Sequence, residues 1–435
     1  MYRKALEEMA RWKDSSRRKP LVLKGARQVG KTWLMKEFSK RYYKDSIYVS
    51  FDKDADAAGI FNDTKNPKRI LERLSLIRGK TILPGKTLVI LDEIQECPNA
   101  LGSLKYFNEE ANEYHVITAG SLLGTYLAKP VSYPVGKVNL LDVYPLTFEE
   151  YLAAVDKGMY QYFTSVKSGK DYVSAFHERM TEHYKKYLII GGMPECVQSW
   201  ATKAAPEEIS VIQGEIVSLY EDDFTKHSGK INSGRILQVF RSIVPQLAKR
   251  NNEKFMYAAI SKSARAKDFE DAIEWLVSSG IVYRILNVSK NEYPLKTYEI
   301  LNYFKLFLLD VGLIKHMAGL TNKSILLSEA FEFKGQLAEN YVLEQLLPLL
   351  DYPPYFYAYA QDREIDFIFQ RDENVIPVEV KSSENKNAVS FKNYIGKYKL
   401  EAAVRFSTNG YMKNGGITNI PLYFVGKVLE LTQEG

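Results

Sequence analysis

Short apolar runs alternate with amphipathic stretches through the first third of the chain, and then the alternation stops. Leu21-Val-Leu, Thr87-Leu-Val-Ile-Leu and His115-Val-Ile-Thr are apolar runs of strand length. Runs of that kind predict parallel strands buried on both faces. Between them Thr32–Lys40 carries a helical pattern. After Leu152 the pattern predicts helices over 150–225, joined at the Gly191-Gly-Met-Pro turn. Ile231–Lys249 is an amphipathic helix, followed by a short helix over Tyr257–Ser263 and a longer one over Ala266–Ser279. Ile281–Val288 and Tyr298–Phe307 read as a hairpin around a polar turn. Farther on, a helix over Gly335–Leu350 precedes two strands, Glu364-Ile-Asp-Phe-Ile-Phe and Val375-Ile-Pro-Val-Glu-Val-Lys.

The first strand runs into Gly25-Ala26-Arg27-Gln28-Val29-Gly30-Lys31-Thr32. This is the Gly-x-x-x-x-Gly-Lys-Thr spacing of a phosphate-binding P-loop, set between a strand and a helix as the chemistry requires. Backbone N–H groups at a helix N-terminus point at phosphate there. Lys31 is expected to reach the β/γ-phosphates of ATP and Thr32 to hold Mg²⁺. A plain glycine turn is the bland alternative, and the full motif in this setting disfavours it.

The second strand ends in Asp92-Glu93. The carboxyl end of such a strand is where an α/β sheet places its ligands. Asp92 is expected to orient Mg²⁺ through water, and Glu93 to polarise the attacking water. An ordinary strand leaving the core into an acidic loop is the competing account. The third strand ends at Ala119-Gly120-Ser121, with Ser121 a polar sensor for the γ-phosphate or part of a simple turn.

With these strands in place, the first third resembles an AAA-type ATPase. More closely it resembles a prokaryotic family that fuses such a module to a characteristic C-terminal region. The P-loop carries the resemblance, with Leu91-Asp-Glu-Ile-Gln, Thr118-Ala-Gly-Ser-Leu-Leu, Tyr144-Pro-Leu-Thr-Phe-Glu-Glu-Tyr-Leu and Tyr187-Leu-Ile-Ile-Gly-Gly-Met-Pro-Glu. In one respect the chain departs from that family. A Gly-Arg pair shortly before the Pro-Leu-Thr-Phe segment is here Gly136-Lys137, and lysine lacks the bidentate fork of arginine. Arg27 is the nearest spare arginine.

Composition narrows the setting. A chain of 435 residues with 46% hydrophobic and 26% charged residues suits several globular domains. Cys97 and Cys196 are the only cysteines, so a disulfide framework is not expected. A charged N-terminus and the lack of a long apolar stretch predict a cytoplasmic chain with no membrane partner. The net charge of +6 hints at a polyanionic partner. His177 and His183 lie six apart on one predicted helix, not the four typical of a zinc pair, so no metal is assigned to them.

Three helices and a hairpin over 231–320 suggest a winged helix, and the family resemblance points the same way. Lys262, Arg265 and Lys267 near the start of its third helix suit phosphate contacts with DNA. They equally suit an ordinary solvated face, and such units also serve as packing lids. Near the C-terminus, alternation sends Val378 and Val380 to one face of a strand and Glu379 and Lys381 to the other. Asp366 lies on the preceding strand, and Glu339 shares a helix stripe with Leu343, Leu346 and Leu350. An acid on an inward-facing stripe is costly to bury unless it is paired or binds metal. Glu339, Asp366, Glu379 and Lys381 together resemble the metal site of the PD-(D/E)XK nuclease-like fold. The resemblance implies Mg²⁺ on Asp366 and Glu379, with Glu339 a further ligand and Lys381 positioning the nucleophile. A sheet edge of alternating charge is the plain alternative.

The expected architecture is therefore an α/β P-loop NTPase parallel sheet, a helical and winged-helix region, and a restriction-endonuclease-like α/β domain. Its expected segments are 1–150, 151–228, 229–325 and 326–435. Two functions fit. In one, ATP hydrolysis drives or licenses a metal-dependent nuclease acting on DNA. In the other, the ATPase is a conformational switch whose C-terminal region binds a protein partner without cutting. A small-molecule kinase fits less well, because Glu93 points to hydrolysis. Oligomeric state is open at this level.

Overall fold

The computed structural model describes residues 1–120, 136–203, 205–227, 231–248, 254–262, 264–326, 333–360, 363–382, 389–398, 400 and 402–433. The chain forms two compact units: one of Tyr2–Tyr144 with Trp275–Ile281, the other of Pro145–Glu274 with Val282–Gly435.

Among the described residues the first unit holds a five-stranded sheet. Its strands are β1 (Leu21–Lys24), β2 (Asp45–Ser50), β3 (Thr87–Asp92), β4 (His115–Ala119) and β5 (Asn139–Asp142). They are ordered β2-β3-β4-β1-β5, and every pairing is parallel. All of β3 and β4 is buried, as their unbroken apolar sequences require. Helices Ala55–Asp63, Pro67–Arg78 and Pro98–Glu110 cover the sheet with Ile60, Phe61, Ile70, Leu74, Leu104 and Phe107. Their starts are set locally. Asp54 accepts from Ala57 N–H, and Asn66 accepts from Arg69 N–H ahead of Pro67.

In the second unit, helices over 148–247 precede an eight-stranded mixed sheet, counted among the described residues. The Tyr144-Pro-Leu-Thr-Phe-Glu-Glu segment proves to be a helix start. Thr147 and Glu150 form a reciprocal capping box on helix Phe148–Val155. The Gly191-Gly-Met-Pro turn ends helix His177–Ile190. Gly191 has φ +75°, and a Cβ there would lie 2.2 Å from Asp310 Oδ1. A Cβ on Gly192 would lie 2.2 Å from the Leu146 carbonyl. Neither position tolerates a side chain.

The sheet runs β12 (Met412–Asn414), β13 (Ile417–Pro421), β11 (Ala403–Ser407), β10 (Asn374–Lys381), β9 (Arg363–Arg371), β8 (Tyr355–Ala360), β6 (Val282–Val288), β7 (Glu299–Leu308). β8, β9 and β10 form an antiparallel meander. Helix Val389–Tyr398 then leads to β11, which pairs parallel with β10.

Two sequence expectations need correction. The helix expected over Tyr257–Ser263 is a single 3₁₀ turn, Tyr257–Ala259, because so short a segment recovers too few hydrogen bonds to offset nucleation. The helix expected to reach Leu350 is helical only over Lys334–Leu346. Pro348 lacks the N–H that a further turn needs, and a 3₁₀ turn follows. Leu350 therefore lies off the stripe that carries Glu339 and Leu343. Helix Ser233–Leu247 and the β6–β7 hairpin lie close to their predicted bounds.

Candidate functional site

In the first unit, the loop after β1 turns sharply to start helix Lys31–Tyr42. Gly25 has φ +147°, Gln28 +65° and Gly30 +92°, so three residues of the loop lie in left-handed territory. A Cβ on Gly25 would lie 2.3 Å from the Val143 carbonyl. Gly25→Ala is therefore expected to weaken ATP binding about tenfold or more, since backbone strain of about 1–3 kcal/mol corresponds to that range. Calorimetric titration against wild type checks it.

Lys31 is buried, and its Nζ donates to the Gly25 and Ala26 carbonyls at 2.8 and 2.7 Å. Burial pulls its ammonium down to about 8, against the pull of Glu93 and Asp92. Thr32 Oγ1 donates to Asp92 Oδ2 at 2.7 Å. The two residues expected at Mg²⁺, one from the loop and one from the end of β3, thus meet. Asp92 Oδ2 also accepts from Tyr48 Oη at 2.9 Å. Glu93 follows in a left-handed conformation, φ +49°, and Gln95 Nε2 donates to its Oε2 at 2.6 Å. That bond fixes the direction of the carboxylate. Paired oxygens on Thr32 and Asp92 are the hard donors Mg²⁺ takes, so the residues present fit the ion.

Residues 17–152 match a family model described as AAA domain. The chain begins with an AAA-type P-loop ATPase domain. That match supports ATP binding. Residues 334–425 match a domain of unknown function (DUF4143), and residues 181–324 match another, DUF8612. No curated relative matches the chain. Similar solved structures include the Walker-type ATPase PABY2304 of Pyrococcus abyssi, at 15% identity over 72% of this chain and 94% of that one, TM-score 0.46. The Aeropyrum pernix Orc1 protein in complex with DNA is similar at 13% identity over 73% and 90%, TM-score 0.25. The Thermotoga maritima RuvB Holliday junction branch migration motor is similar at 14% identity over 65% and 87%, TM-score 0.25. These likenesses are too loose to carry an argument about this chain.

Several residues around the P-loop and the end of β3 escape sequence reasoning. Arg3, buried, donates to the Val29 carbonyl of the P-loop at 3.1 Å and to the Tyr144 carbonyl at 2.7 Å. Gly280, from far along the chain, backs the same loop, and a Cβ there would lie 3.2 Å from Ala26 N. Tyr48 joins Asp92 from the neighbouring strand. No local pattern marks any of the three. Gln95 lies inside Leu91-Asp-Glu-Ile-Gln, but its role needs the turn that brings it back to Glu93. Lys137 Nζ pairs with Glu109 Oε1 at 2.9 Å. Ser121 lies outside the described residues.

In the second unit, the four C-terminal residues are gathered around β9 and β10. Asp366 Oδ2 accepts from Val380 N–H at 2.6 Å. Glu379, buried, pairs with Lys381 Nζ at 3.2 Å and with Arg405 Nε at 3.0 Å. Burial, and the Glu339 carboxylate beside it, push the Asp366 carboxyl well up. Burial likewise raises Glu339, against the pull of Lys305. Lys305, on β7, pairs with Glu364 on β9. Lys305 and Arg405 were not anticipated from the sequence, because neither falls in a motif. Among the described residues no group of three or more His, Cys, Asp or Glu is placed to hold a metal ion. Lys262, Arg265 and Lys267 are all exposed. Among the described residues no helix is long and apolar enough to cross a membrane.

Proposed function

We propose that this chain binds ATP with Mg²⁺ and hydrolyses it. The observation that carries the reading is the 2.7 Å contact of Thr32 Oγ1 with Asp92 Oδ2, beside the buried Lys31 and the oriented Glu93. In this reading the N–H groups of 25–32 and the Lys31 ammonium hold the phosphates. Thr32 and Asp92 hold Mg²⁺, which neutralises charge on the β- and γ-phosphates. Glu93, steered by Gln95, accepts a hydrogen bond from the attacking water and fixes its direction. Ser121 remains the proposed sensor of the γ-phosphate, with Arg27, inside the P-loop, the spare arginine.

The chain is read as segments 1–150, 151–228, 229–325 and 326–435. The hairpin β6–β7 after helices Ser233–Leu247 and Ala266–Ser278 supports a winged-helix reading of the third. The meander β8–β9–β10 followed by a helix and the parallel strand β11 supports a nuclease-like reading of the fourth. DNA is the favoured polyanionic partner, on the charge of +6 and the exposed Lys262, Arg265 and Lys267. A specific observation favours a non-cutting C-terminal domain: Asp366 and Glu379 are already bonded to the chain's own N–H, lysine and arginine groups. In that case the ATPase is a switch and the domain binds a partner.

The test is phosphate release from ATP by the purified full chain, with and without duplex DNA, and with Mg²⁺ or EDTA. Mg²⁺-dependent release is expected. Stimulation by DNA favours a nucleic-acid-coupled ATPase, and indifference to DNA favours the switch. No release above the EDTA control overturns the hydrolysis reading.

A further inference from the structure

The acids of the C-terminal sheet are met by cations, and one of these comes from a strand outside the meander. Lys305 lies on β7, its side chain 13% exposed, and it pairs with Glu364, whose side chain is 7% exposed. Burial opposes the charge of Lys305, but Glu364, Glu339 and Asp366 outweigh it, so the ammonium is held in its charged form. Lys381 and Arg405 close on Glu379, and Lys381 also feels Asp366 and Glu339. Asp366 takes the Val380 N–H. Among the described residues, three cations from β7, β10 and β11 thus face four acids from β9, β10 and helix Lys334–Leu346.

A divalent ion needs several hard oxygen donors turned toward one point. Here Asp366 Oδ2, Glu364 Oε1 and both Glu379 oxygens meet N–H groups, and among the described residues no three-acid group is placed for a metal. The donor set does not fit. Yet carboxylates partly removed from water must have compensating charge, or folding suffers.

We propose that Lys305 is a built-in counter-cation standing in for a divalent metal, so that these acids fasten β7 and its hairpin to the C-terminal sheet. A lysine ammonium supplies one positive charge and three donors on a stem long enough to cross between strands. Removing it leaves the acids one positive charge short, and a metal ion then gains what the lysine held. The inference rests on the nuclease-like reading of this sheet and is independent of ATP hydrolysis.

Mn²⁺ binding to the nucleotide-free full chain, read by loss of the free-ion electron paramagnetic resonance signal, tests it up to ~1 mM metal, the weak end of protein sites for hard cations. Wild type and Asp366→Asn are expected to bind Mn²⁺ equally. Lys305→Met is expected to gain a site that Lys305→Met/Asp366→Asn lacks, with ATP turnover unchanged. A folded Lys305→Met that gains nothing overturns the proposal. So does a wild-type site that Asp366→Asn removes. Should Lys305→Met not fold, wild type against Glu379→Gln decides: equal Mn²⁺ supports the proposal and an extra wild-type site overturns it. DNA cleavage by wild type with Mg²⁺, lost in Asp366→Asn, overturns both the proposal and the non-cutting reading. A wild-type Mn²⁺ site that Asp366→Asn removes, without cleavage, overturns the proposal alone.

Discussion

Replacing Glu93 with glutamine is expected to leave ATP bound and to lower its turnover by about 10²- to 10⁴-fold, the range for losing a positioned general base. The side chain keeps its length, so the left-handed turn at φ +49° and the contact with Gln95 have no steric reason to change. Only the charge proposed to orient water is lost. Lys31, Thr32 and Asp92 remain, so the dissociation constant for ATP is expected to stay within a few-fold of wild type. Phosphate release and calorimetric titration on the same sample separate the two quantities. Turnover equal to wild type would remove Glu93 from the mechanism. A parallel loss of binding would make it a structural residue of the β3 end instead. Gln95→Ala provides a graded companion: a smaller fall in kcat with unchanged affinity, because the carboxylate stays but its direction is no longer fixed.

Asp310→Ala is expected to destabilise the second unit by on the order of 3 kcal/mol at pH 5, as donors left without acceptors in a dry interior do. Asp310 is fully buried and accepts from Gly192 N–H at 2.5 Å and Leu313 N–H at 3.0 Å. The Gly312 and Met193 amides add to the same carboxylate. It therefore ties the Gly-Gly-Met-Pro turn to the start of helix Val311–Met317. Around it, Asn340 holds Glu344, and Gln345 holds the Phe148 amide. Burial pushes the Asp310 carboxyl up to about 6 despite those four amides. A carboxyl raised in the folded state binds its proton more tightly there than in the unfolded chain. Stability from this group is thus present at low pH and falls as pH rises from the ordinary value of 3.8 toward 6. The gap between wild type and Asp310→Ala should narrow by roughly 1 kcal/mol between pH 5 and pH 7. Denaturant melts at both pH values check it. A gap that does not change with pH would mean that Asp310 is ionised in the fold throughout. Glu344 is itself pushed well up by burial, and further by Asp310.

Both sites show how far local sequence reaches. Gly25-Ala-Arg-Gln-Val-Gly-Lys-Thr and the run ending in Asp92-Glu93 were legible because each is contiguous and its chemistry dictates its spacing. Strand and helix limits nearby were also legible, since Asp54, Asn66 and Pro67 cap locally and β3 and β4 are apolar throughout. The Pro348 stop is equally local, although the leucine spacing runs past it to Leu350. Strand alternation marks Glu379 and Lys381 and a helix stripe marks Glu339, but Lys305 and Arg405 carry no such mark, because they reach the acids only through strand pairing. Asp310 was invisible for the same reason: a lone acid after an apolar run carries no signal until the glycines it bonds are folded against it.

By itself, then, the sequence determined the AAA-type domain, its phosphate loop and the acids at the end of β3, because backbone geometry and phosphate chemistry constrain neighbouring residues. Tertiary structure alone decided what holds that loop, where Arg3 and Gly280 back it from distant points of the chain. It also decided the state of the C-terminal acids. A buried charge is defined by whatever compensates it, and two of the three cations here come from β7 and β11, which only the folded sheet brings alongside.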